Sequence, residues 1–354
     1  MESQQQIQLR IQIKEAKEGG PVYKNFISPD PSGEPLIIDE VQRVPELLSA
    51  IQVRVDENRD LNGRFILTGS HQPMLREGIA QSLAGRTSIV ALYPLSIEEL
   101  LEDGCTALNI NHLLLYGFMP ELYKGKNTRK PYIYYRDYLQ TYIEKDVRQM
   151  KAIKDLDKFL RFLTLLAGRV GQVVNLSMLS GEVGVSSTTL GEWLSVLSAS
   201  NIIFELQPYF SNISKRQIKS PKIYFSEVGL CSYLLGLEEE EQVDRDPLRG
   251  QLFENMVVAE AVKARLNKNR EPDLYFVRTE KGVEIDLVYK AGRNLIPFEI
   301  KSSMTPNSTF SRNLKAFCDA EPTSMQPTII YSGEEYPLFY GVRYINYRNL
   351  STCL

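Results

Sequence analysis

The chain has 354 residues, 43% hydrophobic and 24% charged, with a formal net charge of -3, which predicts two or three domains and excludes a global cationic field that would draw in nucleic acid. Four scattered cysteines without a Cys-x-x-Cys pair and only two histidines argue against a zinc site and fit a reducing cytoplasm. The N-terminal residues form no signal peptide and no apolar run reaches membrane-spanning length, so a soluble cytoplasmic protein without a membrane partner is expected.

In chain order, alternation from Ile7 to Ile13 predicts an edge strand, broken at Gly19-Gly20-Pro21. An apolar run, Leu36-Ile37-Ile38, predicts a strand that stops at Asp39-Glu40. Residues 45–57 predict a helix, Phe65-Ile66-Leu67 a second strand running into Thr68-Gly69-Ser70, residues 73–83 another helix, and Ile89 to Leu92 a further strand. From Pro131 to Gly168 the spacing is helical, with Tyr135, Tyr138, Leu139, Tyr142 and Ile143 as a packing face. Residues 173–225 read as a winged helix-turn-helix. A helix starts at Leu176, a turn covers Gly181 to Val185, and Ser186-Ser187-Thr188 caps a second helix whose inner face is Leu190, Trp193, Leu194 and Leu197. A hairpin wing follows from Ile202 to Phe225. The outer face of the second helix offers Ser187, Thr188, Glu192 and Ser195, and no Lys or Arg stands between Glu182 and Ser214, which argues against base-specific reading. Lys215, Arg216, Lys219 and Lys222 cluster in the wing, either as a hairpin that is solvated or contacts a neighbouring domain, or as a phosphate contact. The last stretch opens with an acidic loop, Glu238 to Asp246, and an amphipathic helix, Leu248 to Leu266. Strands Asp273 to Arg278, Val283 to Tyr289 and Leu295 to Ser302 follow, with a turn at Lys290 to Asn294.

Two constellations carry chemistry. An apolar strand ending in Asp39-Glu40 has the form of a Walker B strand, in which Asp39 would hold a nucleotide's Mg²⁺ and Glu40 would orient the attacking water. Its usual partner, Gly-x-x-x-x-Gly-Lys-[Ser/Thr], occurs nowhere in the chain, and the 35 residues ahead of the strand are too few for a strand, P-loop, helix and second strand. The second constellation is Glu299 and Lys301, two apart on one strand face, with Asp286 on the preceding strand and Glu254 on the helix ahead. The order Glu, Asp, Glu-x-Lys is that of the PD-(D/E)XK nuclease core. There, carboxylates hold Mg²⁺ or Mn²⁺ and the lysine orients or activates water. An Asp followed by Glu-x-Lys also arises by chance in many hairpins.

With these motifs in order, the chain resembles a large prokaryotic family of AAA-type ATPases with a C-terminal domain of unknown function. The resemblance is carried by Leu36 to Pro45, Phe65 to Ser70, Ser82-Leu83-Ala84-Gly85-Arg86, Tyr142 to Arg148, Lys219 to Phe225, Leu252-Phe253-Glu254-Asn255 and Phe298-Glu299-Ile300-Lys301. It implies an α/β multidomain protein: a partial P-loop ATPase α/β domain over residues 1–100, a helical linker over 101–165, a winged helix over 166–236 and a restriction-endonuclease-like α/β domain over 237–354. By the resemblance, ATP and Mg²⁺ are the cofactors of Asp39 and Glu40, Ser70 is the γ-phosphate sensor, and Mg²⁺ or Mn²⁺ falls to Glu254, Asp286 and Glu299, with Lys301 catalytic. Arg86 is given a structural role, with contact to a phosphate in a neighbouring subunit as the alternative. Lacking a P-loop, the chain is expected to be a truncated member that does not hydrolyse ATP alone and acts in binding or regulation, through a protein partner or self-association. The alternatives are a metal-dependent nuclease that meets nucleic acid through the wing, and an ATPase whose start lies further upstream.

Overall fold

The structure is a computed structural model that describes residues 35–41, 44–57, 60–69, 79, 82–105, 109–124, 129–143, 153, 155–209, 220–279 and 282–354. It divides into two compact units, Met1–Val90 and Ala91–Leu354.

In the first unit β1 (Leu36–Ile38) and β2 (Phe65–Leu67) pair in parallel, with Ile38 level with Leu67. Helix α1 (Glu46–Glu57) buries Leu47, Leu48 and Ile51 against Ile38, Val41, Val44, Ile79 and Leu83. A helix contributes such a stripe where apolar residues recur three and four apart. The expected edge strand at 7–13 and most of the expected helix at 73–83 lie outside the described residues. Ile89 to Leu92, expected as a strand, joins no ladder, and Leu92 is almost fully exposed. Apolar composition alone does not make a strand without a neighbour to pair with.

The second unit begins with short helices: α2 (Ile97–Glu102), α3 (Ile110–Tyr116) and α4 (Pro131–Tyr138), which runs into a π turn at Leu139–Ile143, then α5 (Leu156–Ala167). Tyr135 is fully buried and its hydroxyl donates to the Tyr116 carbonyl at 2.7 Å, and Tyr138 and Leu139 pack part-buried on the same core; the side chains of Tyr142 and Ile143 lie outside what is described. After β3 (Gln172–Val173), α6 (Leu176–Val183) ends at Gly184 in the left-handed region and α7 (Ser187–Ala199) starts from an Ser186 cap that accepts from Thr189 N. Leu190, Trp193 and Leu197 are buried, while Ser187, Thr188, Glu192 and Ser195 are exposed, as their spacing requires.

Strands β4 (Ile203–Pro208) and β5 (Lys222–Phe225) pair antiparallel, as the hairpin expected over Ile202 to Phe225 requires. Helices α8 (Val228–Leu234), α9 (Glu240–Arg245) and α10 (Arg249–Asn267) follow. The acidic stretch expected as a loop is thus helical at α9, entered through a reciprocal cap between Glu239 and Gln242. Then come β6 (Leu274–Arg278), β7 (Glu284–Ala291), β8 (Asn294–Lys301), α11 (Arg312–Ala320), β9 (Thr328–Tyr331), β10 (Tyr336–Phe339) and β11 (Val342–Asn346). One nine-stranded sheet results, in the order β10-β11-β9-β8-β7-β6-β4-β5-β3. Because β4 pairs in parallel with β6, at Gln207 and Tyr275, the strands expected as a wing extend the C-terminal sheet, and the expected boundaries at 165/166 and 236/237 fall inside one compact unit.

Helix α10 departs from the amphipathic expectation because it is buried nearly all round, from Leu252 to Ala264. Its charges are satisfied internally. Lys263 Nζ donates to Glu260 at 2.6 Å and to the Leu95 carbonyl at 2.8 Å, while Glu260 accepts from Ile97 N at 2.7 Å. A buried charge is tolerated only when its own fold pairs it.

Candidate functional site

In the first unit the carboxylate of Asp39 and the hydroxyl of Thr68 meet at the carboxyl ends of the parallel pair, with Thr68 donating to Asp39. The backbone locks this corner through Thr68 N to Ile38 O at 2.9 Å and Val41 N to Thr68 O at 3.0 Å. Glu40 has a positive φ of 54° and its N–H points at Thr68 Oγ1, 3.4 Å away. Thr68 therefore occupies the place beside Asp39. The expected sensor Ser70 lies outside the described residues, whereas the strand register, with Ile38 level with Leu67, puts Thr68 next to Asp39. Arg86 makes two hydrogen bonds to Asp56, at 2.8 and 3.0 Å, which fits its structural assignment.

The second constellation forms where β7 and β8 part. Their antiparallel register ends at Leu287 and Phe298, and one step further stand Asp286 and Glu299. Ile300 N donates to Asp286 Oδ2 at 2.8 Å, which fixes that carboxylate beside β8. Lys301, on the same face as Glu299, bridges the two acids, 2.7 Å from Glu299 Oε1 and 3.7 Å from Asp286 Oδ2. The other oxygen of Glu299 is buried with no hydrogen-bond partner among the described residues. Strand β8 lies between β7 and β9, away from the sheet's edges, and Glu299 is 6% exposed.

Glu254, on α10, meets a different cation. Lys222 Nζ lies 3.1 Å from its Oε1 and 2.8 Å from Glu284 Oε1, and the Tyr224 hydroxyl donates to the same Glu254 oxygen at 2.6 Å. Lys222 and Tyr224 are two apart on β5, so both leave the same strand face toward α10. Gly171, at φ +72°, passes close by: a Cβ there would stand 3.3 Å from Glu254 Oε1. The expected phosphate contact by Lys222 is corrected here, since its side chain is 2% exposed and already spent on two carboxylates. Its cluster partners Lys215, Arg216 and Lys219 lie outside the described residues. Tyr224, Glu284 and this role of Lys222 escaped the sequence analysis, because only the shared sheet reveals that β5 reaches the C-terminal acids.

Burial pushes the Glu299 carboxyl up to about 7, with the charge of Asp286 adding and Lys301 opposing. Burial likewise pushes Glu254 up to about 7, reinforced by Asp286 and opposed by Lys222 and by the hydrogen bonds from Tyr224 and Lys222. For Lys301 burial favours the neutral form, but Asp286, Glu299 and Glu254 outweigh it and the net shift is upward. Lys222 shows the same balance against Glu254, Asp286 and Glu284. Among the described residues no three His, Cys, Asp or Glu side chains gather as a ready metal cluster. Glu254 has its ion pair with Lys222, and Asp286 and Glu299 have theirs with Lys301, while the charge of Asp286 acts on both other acids.

Comparison with known proteins gives three family matches along the chain. A family described as AAA domain matches residues 4–101, and families described as Domain of unknown function (DUF8612) and Domain of unknown function (DUF4143) match residues 108–241 and 249–350. The AAA domain at one end and the DUF4143 domain at the other support an AAA-type ATPase-like family with a mixed α/β fold. Uncharacterized proteins of Mycobacterium bovis and Mycobacterium tuberculosis are each 32% identical to this chain over 305 residues, covering 86% of it and 66% of their own length. An uncharacterized protein of Methanocaldococcus jannaschii is 22% identical over 287 residues, 74% of this chain and 60% of its own. The chain thus spans 66% of the length of the two mycobacterial relatives. No solved structure matches it. Among the described residues no helix is long and apolar enough to cross a membrane.

Proposed function

We propose that the second unit is a divalent-metal-dependent nuclease centre in which Asp286 and Glu299 hold the cation and Lys301 stabilises charge on the phosphodiester. The observation that carries this reading is the buried Glu299 Oε2 without a partner among the described residues, on a side chain that shares Lys301 with Asp286. Two hard carboxylate oxygens suit Mg²⁺ or Mn²⁺, and either ion, when bound, supplies Lewis acidity and a more acidic water. The order α10-β6-β7-β8-α11-β9 supports the restriction-endonuclease-like resemblance.

The residues themselves divide the work. Asp286 is held by Ile300 N and so keeps a fixed direction. Lys301 is kept cationic by its acidic neighbours, which suits it to orient water and balance the negative charge developing on phosphate, not to accept a proton. The test is cleavage of single- and double-stranded DNA and RNA with Mn²⁺ or Mg²⁺. The expected result is activity in the wild type that falls by about a hundredfold or more in Asp286→Ala, the scale of losing one preorganised electrostatic element. Absence of cleavage by the wild type on every substrate would contradict the nuclease reading and favour a binding or regulatory role.

A second reading concerns the first unit, where Asp39 and Thr68 stand together at the carboxyl ends of parallel strands, the end at which α/β sheets take ligands. This supports an Mg²⁺-nucleotide site served by Asp39 and Glu40. Residues 1–354 contain no Gly-x-x-x-x-Gly-Lys-[Ser/Thr], so this chain alone is expected to bind MgATP weakly. Calorimetric titration decides it: micromolar binding lost in Asp39→Asn would show that another phosphate cradle exists.

A further inference from the structure

The acids of the second unit form two pairs, each bridged by one ammonium group. Lys301 bridges Asp286 and Glu299, and Lys222 bridges Glu254 and Glu284. The two bridges differ in accessibility. Lys301 has a third of its side chain exposed, whereas Lys222 is 2% exposed. It is further enclosed by the Phe276 ring, 5.5 Å from its Nζ, and shares its Glu254 oxygen with the Tyr224 hydroxyl. An exposed ammonium can yield its place to a divalent cation, but an enclosed one that already balances two carboxylates cannot leave without stranding them in a poorly solvated site.

We propose that Lys222 is a fixed internal cation that permanently fills the Glu254–Glu284 pair, so that the centre accepts a single divalent ion, at Asp286 and Glu299, with Glu254 outside its ligand set. This rests on the metal reading given above and specifies it. Phosphoryl-transfer centres built on two metal ions use carboxylates on both sides of the reacting phosphate. Here a lysine from β5, on the far side of β4 and β6 from β7, holds one of those sides. Lys222 is accordingly a positioning residue: its contacts are Glu254 and Glu284, and it acts through the carboxylates it immobilises.

The experiment counts Mn²⁺ ions bound to the full chain by electron paramagnetic resonance and calorimetry, with Asp286→Ala measured in parallel so that ions bound elsewhere are subtracted. The wild type is expected to hold one ion at this centre, with no spin coupling to a second. Glu254→Gln is expected to keep that ion with affinity changed by less than about tenfold, the lower bound of effects from groups behind the ligands. Lys222→Ala, which empties the space between two carboxylates, is expected to admit a second, weaker ion, and Lys222→Arg to return the count to one. Two ions in the wild type, loss of the ion in Glu254→Gln, or a count of one in folded Lys222→Ala would each overturn the inference. Should Lys222→Ala fail to fold, the wild-type count and Glu254→Gln decide alone. No ion in the wild type would remove the metal reading itself, an outcome distinct from a bound ion that also uses Glu254.

Discussion

Asp39 ends β1 and Asp286 stands on β7, each beside a neighbouring strand, but their surroundings differ in kind. Asp39 is exposed and touched by a hydroxyl, Thr68. Asp286 is 8% exposed, accepts a backbone N–H and shares a lysine with Glu299. Solvation supports the first acid, as it does any exposed carboxylate. The second is supported by the protein's own cations, and the fold has already met the desolvation cost that makes charge effective in a site. Preorganisation of this kind is visible in the second unit and absent from the described corner around Asp39.

The comparison breaks most readily where a buried acid depends on one lysine. Lys263→Met removes the partner of Glu260 while keeping the volume of a side chain that is 1% exposed, and is expected to destabilise the second unit by about 3–5 kcal/mol. Chemical denaturation measures this, and a loss below about 1 kcal/mol would show that the buried pair is not needed.

Next in size is the pH dependence set by Glu254 and Glu299. Their folded values, about 7, lie above the ordinary 4.5, so between these limits the folded protein binds more protons than the unfolded one. The stability these groups contribute is full below about pH 4.5 and is lost as pH rises through about 7. In the absence of metal, Glu299→Gln should therefore gain melting temperature relative to the wild type between about pH 5 and pH 8. A difference that stays constant across that window would mean Glu299 is not carrying the burial strain.

Smallest are the effects in the first unit. Asp39→Asn should change stability by no more than about 0.5 kcal/mol, as surface substitutions do, since water and Thr68 accept the amide equally well. Arg86→Ala breaks a part-exposed pair with Asp56 and a hydrogen bond to the Ala84 carbonyl, and its melting temperature should fall only slightly below that of the wild type. A clear loss in either variant would place that corner among the preorganised sites and erase the contrast.

Local periodicity made much of this legible. Strands β6 to β8, helix α1 and the helix pair α6–α7 follow from alternation, three-and-four spacing and serine capping, and Asp286, Glu299 and Lys301 were placed on neighbouring strand faces by period alone. What period cannot give is which distant strands share a sheet. Lys222 read as a surface cation because its neighbours in sequence, Lys215, Arg216 and Lys219, are basic. Its burial follows from the parallel pairing of β4 with β6, a contact between residues more than sixty positions apart. The same limit hid the partners of Glu254, since only the fold brings Lys222 and Tyr224 of β5 against it. Helix α10 misled for a related reason: its Glu260 and Lys263 mimic a polar face and are in fact a buried pair.

The central claim is that a divalent cation takes the place between Asp286 and Glu299 now bridged by Lys301. Crystals of the full chain soaked in Mn²⁺ and measured near the manganese absorption edge test it most directly. The account predicts one anomalous peak in contact with Asp286 and Glu299 Oε2, with the Lys301 ammonium moved aside and Lys222 still joining Glu254 to Glu284. A map with no peak there and Lys301 unmoved would contradict it.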